Sequence, residues 1–174
     1  MSSYQLPIGL AVLLSLLGWV ADGVNEELVF RGYQLKNLAE GLMGKRLGAR
    51  AALRLAVVMS STFFGLAHLA NNKATAFSTI NIIVGGLLLS LPVLLTGELA
   101  ISIGLHITWN LFEGTVYGFP VSGTLPKTRL LTIQQSGPEL WTGGAFGPEG
   151  GLICTVWMLV VGALIGAWVR FRHR

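Results

Sequence analysis

The stretch VNEELVFRGY, residues 24–33, sets Glu26, Glu27 and Arg31 directly behind one of the longest apolar runs of the chain, LPIGLAVLLSLLGWV at 6–20. The surroundings make those charges costly. Of 174 residues, 52% are hydrophobic and 11% charged, against roughly 25% charged in an ordinary soluble domain, and the mean hydropathy is +0.66. A carboxylate in the middle of a bilayer-spanning helix costs at least about 2.5 kcal/mol. Working outward from 24–33, five apolar segments, at about 6–21, 52–70, 79–96, 98–118 and 151–169, approach the roughly 20 residues that cross a bilayer. The expectation is an all-α fold, a polytopic transmembrane helical bundle of about five membrane segments. It forms a single domain over 1–174, because no polar stretch is long enough to fold separately.

The net charge of +4 and pI near 9.6 do not point to nucleic acid, because the basic residues gather at the ends of apolar runs. Lys36, Lys45, Arg46, Arg50 and Arg54 lie between the first two segments, which the positive-inside rule places in the cytoplasm. Alternating from there puts Arg170, Arg172 and Arg174 on the same side and the amino terminus outside. YQLKNLAEGLMGKRLGAR at 33–50 reads as a helix end passing into an interfacial helix. One cysteine, Cys154, excludes an internal disulfide. The first run lacks a basic n-region and a small-residue cleavage site, so a signal peptide is not expected. Residues 119–150 are the longest polar connection, punctuated by proline and glycine. On this topology they lie outside and read as a plain connection, with a lid over a cavity as the other reading. No internal repeat is present.

Glu27 and Arg31, spaced i, i+4, share a helix face and can pair, whereas Glu26 points about 100° away and is left as the free carboxylate. Taken alone, both glutamates could equally solvate a helix end at the interface. His68 closes the second apolar run, where a lone histidine is an ordinary packing residue. In ISIGLHITWNLFEG, 101–114, His106, Asn110 and Glu113 recur at i, i+4 and i+7. They form a polar stripe that should face a bundle interior or wet cavity. Glu113, beside Gly114 and Gly118, is read as lying beyond the membrane with a minor part. An acid, two histidines and an amide on three helices can activate a water and stabilise an oxyanion. Glu26, His68 and His106 could instead hold a divalent metal such as zinc, although no HExxH pair is present.

These residues carry a resemblance. EELVFR fits EExxxR, FGLAH at 64–68 fits FxxxH, and HITWN at 106–110 fits HxxxN. In this order, on successive apolar segments, they resemble the CPBP family of intramembrane proteases, which includes the eukaryotic CAAX prenyl endopeptidases and bacterial Abi-type proteins. The resemblance runs over about residues 5–170. It implies hydrolysis of a peptide bond in a membrane-associated or lipidated protein substrate, by an integral protein of a bacterial plasma membrane. Glu26 would be the general base, His68 its helper, and His106 with Asn110 the oxyanion pair. Glu27, Arg31 and Phe64 would be structural parts of the motifs. The family has been described both as metalloproteases and as metal-independent glutamate proteases. Its eukaryotic members have eight helices, so this chain resembles a short form or one lacking amino-terminal helices.

Straight spans with the bounds above put Glu26 near the cytoplasmic end, and His68 about 25 Å from the start of its own helix at 1.5 Å rise per residue. The two meet only if Glu26 lies deeper. Two other function classes stay open. One is a non-catalytic bacteriocin-immunity or scaffold protein that binds a peptide partner. The other is an ion-coupled transporter, which would call for two related halves with paired broken helices.

Overall fold

The computed structural model describes residues 6–44 and 46–172, so Lys45 and Arg174 of the basic clusters lie outside the described residues. The chain is all helical apart from its loops; among the described residues the only β pairing is an isolated bridge between Val121 and Thr124. Among the described residues, four helices are long and apolar enough to cross a membrane: Ile8–Leu42, Ala49–Ala70, Ala76–Thr96 and Leu152–Arg172. The protein is an integral membrane protein.

The first of these carries the apolar segment at about 6–21 on, through Glu26, into the stretch read as a helix end and interfacial helix. Helix α1 (Ile8–Glu27) runs through a π-helical stretch, Leu28–Gln34, into α2 (Leu35–Leu42) without interruption. The rod has 35 residues and is about 50 Å long, well over the roughly 30 Å of bilayer hydrocarbon. Hydropathy falls after Tyr33 because α2 is two-faced. Leu35 is buried against α3 (Ala49–Ala67), while Lys36, Asn37 and Glu40 line an outward groove. Helix α4 (Ala76–Thr96) starts with a reciprocal cap between Thr75 and Ser78 and ends at Gly97, whose φ of 77° suits glycine. Helix α5 (Ala100–Asn110) continues as a second π-helical stretch, Leu111–Val116. Together they are the fourth apolar segment, expected at 98–118. After a long loop containing the four-residue α6 (Glu139–Thr142), α7 (Leu152–Arg172) closes the chain.

Side chains fix the register. Ser60 Oγ donates to the Phe30 carbonyl at 2.7 Å, so α3 runs antiparallel to the α1–α2 rod. Gly86 on α4 lies against Ser61 so closely that a Cβ there would sit 3.0 Å from the Ser61 Cα. Helix α7 runs parallel to α4: Asn81 donates to the carbonyls of Glu149 and Gly151 and accepts from Thr155, and Met158 lies opposite Gly85. This arrangement brings Arg50, Arg54, Arg170 and Arg172 to one end of the bundle. His68 and the 119–150 loop lie at the other.

Because the first helix continues past Glu26, α3 descends beside its second half and delivers His68 to the level of Glu26. The long connection is no free loop either. Its Phe146 is buried with Phe64 and Ile82 in an apolar core cluster.

Candidate active site

The charged pair that opened the question is closed to solvent. Glu27 is 0% exposed and its Oε1 accepts from Arg31 Nη1 at 2.9 Å. The same oxygen also accepts from His106 Nδ1–H at 2.8 Å. One carboxylate thus ties the first motif to the third. Gly23 makes this possible, since a Cβ there would lie 2.8 Å from Ile107 Cγ1; only a bare glycine lets α5 approach α1 this closely. With Nδ1 committed to Glu27, the Nε2 of His106 faces the other carboxylate, 3.8 Å from Glu26 Oε2. That gap exceeds a direct hydrogen bond. Glu26 Oε2 has no hydrogen-bond partner among the described residues.

Phe64 is the spacer between the motifs. Its ring meets His68 edge-on at 4.7 Å between centroids, His106 at 6.2 Å and Phe30 at 5.1 Å. The Arg31 guanidinium lies 4.2 Å from its centroid, a cation–π contact in a desolvated place. The His68 ring donates from Nδ1 to the Phe64 carbonyl at 2.8 Å. Its Nε2 is therefore the free ring nitrogen, since a carbonyl can only accept.

Glu26, His68, His106 and Asn110 line one cavity of about 1230 Å3. Its polar walls also include Asp22, Glu113 and Glu149, while Leu88, Leu105, Trp157, Met158 and Val161 make the far wall apolar. Asn110 Nδ2 donates to Asp22 Oδ2 at 3.1 Å. All three members of the 106, 110, 113 stripe face this interior, and Glu113, read from the sequence as lying beyond the membrane, is only 6% exposed. The loop supplies a wall through Phe119, Val121, Thr124 and Pro148. It is clamped by Glu149, whose Oε2 accepts from both the backbone N–H and the hydroxyl of Ser122 at 2.7 Å, and whose Oε1 accepts from Trp109 at 3.2 Å.

Three converging ligands are the least a catalytic zinc needs from the protein. Among the described residues no three His, Cys, Asp or Glu side chains come together in that way. The bond from His106 Nδ1–H to Glu27 leaves Nε2 open, as in metal-bound histidines, so what the described residues lack is a third side chain gathered with it.

A family model described as type II CAAX prenyl endopeptidase Rce1-like matches residues 8–112, more than half of the chain. The chain belongs to the Rce1-like family. No curated protein and no solved structure matches it. The Rce1-like match takes in all three motifs and ends just past Asn110, before the loop and α7. Both π-helical stretches of this CAAX-type membrane endopeptidase directly follow motif residues, Glu27 in one case and Asn110 in the other. Such stretches often mark functional sites. Sequence reasoning overlooked two groups, Asp22 and the second role of Glu27. A signal for Asp22 was present: Ser15, Trp19, Asp22 and Glu26 recur at i, i+4, i+7 and i+11, one helix face. Nothing in the sequence announced that the Arg31 partner also holds His106.

Proposed function

We propose that the protein is a glutamate-type intramembrane endopeptidase that hydrolyses a peptide bond in a lipidated or otherwise membrane-anchored protein of a bacterial plasma membrane, within the single domain 1–174. The observation that carries this is the convergence of Glu26, His68, His106 and Asn110, from three helices, on one cavity. A water between Glu26 and the free Nε2 of His68 gives its proton to Glu26 as its oxygen bonds to the scissile carbonyl carbon. The carbonyl oxygen becomes an oxyanion, met by N–H groups of His106 Nε2 and Asn110 Nδ2. His106 donates from Nε2 when the ring carries its second proton, and Glu27 at Nδ1 balances that charge. Collapse breaks the C–N bond, and the proton on Glu26 passes to the departing nitrogen.

The apolar wall of Leu88, Leu105, Trp157, Met158 and Val161 suits a substrate that stays partly in lipid. Its area removes water from the ligand without asking for hydrogen bonds.

Purified protein in detergent micelles, given a farnesylated peptide ending in a CAAX sequence, tests the reading. Wild type should consume the peptide, Glu26→Gln should not, and a strong chelator should leave the rate unchanged. Loss of turnover on chelation and its return with zinc would contradict the metal-free chemistry. Turnover by neither protein would favour the scaffold alternative, and equal turnover by both would remove Glu26 from the mechanism.

A further inference from the structure

The face of α1 that carries Glu26 makes a ladder of polar contacts with α5 and its π-helical continuation. Ser15 and Trp19 both bond the Thr115 hydroxyl, at 2.7 and 2.8 Å. One level on, Asp22 meets Asn110 at 3.1 Å. The two helices are thus pinned at Thr115 and again at Asn110, and on this face Asp22 is the rung that touches a group assigned to the chemistry, as Glu27 on the neighbouring face touches His106. We infer that Asp22 is a positioning residue that sets which way the Asn110 carboxamide faces.

The physical need is specific. A carboxamide has a donating end and an accepting end of nearly equal size, and a half-turn of the group exchanges them. Presented with its N–H, it stabilises an oxyanion; presented with its carbonyl, it repels one. An ionised Asp22 only accepts, so Asn110 must turn Nδ2 toward it. One N–H of that nitrogen is spent on Asp22 and the second is left for the oxyanion, fixed in place before substrate arrives. Such groups need supporting partners that lock their rotamers. The bond is charge-assisted, which makes it stronger than a neutral one. This inference rests on Asn110 being an oxyanion donor, as proposed above.

A second way for Asp22 to act has to be kept apart: it lies one turn before Glu26 and could act on that carboxylate by charge alone. The experiment is a double-mutant cycle on turnover of the farnesylated CAAX peptide, with kcat and KM separated. Asp22→Ala should lower kcat about tenfold with KM unchanged. Asp22→Asn, which keeps an acceptor but can also present its N–H end and loses the charge, should fall between wild type and Asp22→Ala. Asp22→Ala added to Asn110→Ala should change nothing further, since coupled residues are not additive. Additive losses, or Asp22→Asn as poor as Asp22→Ala, would overturn the inference and assign the effect to Glu26. A fully active Asn110→Ala would overturn the oxyanion role itself and this inference with it. Asp22→Ser, too short to reach Asn110, replaces Asp22→Ala if the latter does not give monodisperse protein. A readout free of turnover comes from selective 15N-asparagine labelling. The Asn110 side-chain N–H signals should be displaced from free-carboxamide positions and slow to exchange with water in wild type, and move to free-carboxamide positions with fast exchange in Asp22→Ala, while the pair stays inequivalent throughout because the C–N bond does not rotate freely. Unchanged signals in Asp22→Ala would also overturn it.

Discussion

Glu27 Oε1 receives His106 Nδ1–H at 2.8 Å and Arg31 Nη1–H at 2.9 Å, so the carboxylate that neutralises the buried arginine is also the one that orients the imidazole. This answers why two adjacent glutamates sit in so apolar a chain. Glu27 holds the assembly together from within, and the free carboxylate of Glu26, a third of a turn away, faces the cavity.

Replacing Arg31 by alanine should act on the fold first. It strands Glu27, and removing one partner of a buried pair costs about 3–5 kcal/mol. Folded yield and the thermal midpoint in detergent should both drop sharply. Wild-type yield with lost turnover would instead give Arg31 a direct role in the reaction.

Glu27→Gln should damage both properties. The carboxamide retains one acceptor oxygen for two donors and no charge to balance Arg31. The expected result is a lower thermal midpoint and a loss of kcat of about 10²-fold or more, as for a misoriented catalytic group. A variant with full activity would show that His106 does not depend on Glu27 for its orientation.

The close approach at Gly23 gives a test with a built-in rescue. Gly23→Val puts methyl groups into Ile107 and should cost about 1–3 kcal/mol as overpacking, with turnover lost as His106 moves off Glu27. Adding Ile107→Ala should restore part of both. No rescue would mean that α1 and α5 are held apart or together by other contacts.

Glu149→Gln should release the loop over the cavity. The Ser122 hydroxyl and backbone N–H, both at 2.7 Å from Glu149 Oε2, lose a charged acceptor and face an N–H end in one orientation. Limited proteolysis should cut within 119–150 markedly faster than in wild type, with KM raised more than kcat is lowered. An unchanged cleavage rate would mean that Phe146 and Asn81 hold the loop without Glu149.

The sequence was informative where chemistry imposed a spacing. The i, i+4 pair of Glu27 and Arg31 and the 106, 110, 113 stripe follow from helix geometry alone, and the helical class from five apolar segments. It was silent where packing decided. A hydropathy reading ends the first helix at Tyr33 because Lys36, Asn37 and Glu40 pull the average down, although Leu35 still packs on α3. That one continued helix brings α3 back alongside and carries His68 to the level of Glu26, a meeting that straight spans with the sequence bounds did not allow. The π-helical stretches have no residue signature in 28–34 or 111–116. Glu113 read as peripheral because two glycines follow it closely, yet the loop folds back and buries it. The anchoring of that loop depends on Glu149, more than thirty residues from Trp109, a distance no local pattern spans.

The central claim is that Glu26 performs hydrolysis on a membrane protein in the cell. It is tested most directly by replacing the chromosomal copy in its host with wild type or Glu26→Gln at matched abundance and comparing all membrane-protein termini by mass spectrometry. The account predicts termini that are present with wild type and absent with Glu26→Gln. Their sequences would identify the substrate. Identical termini in the two strains would contradict it, leaving Glu26 a structural residue of a membrane scaffold.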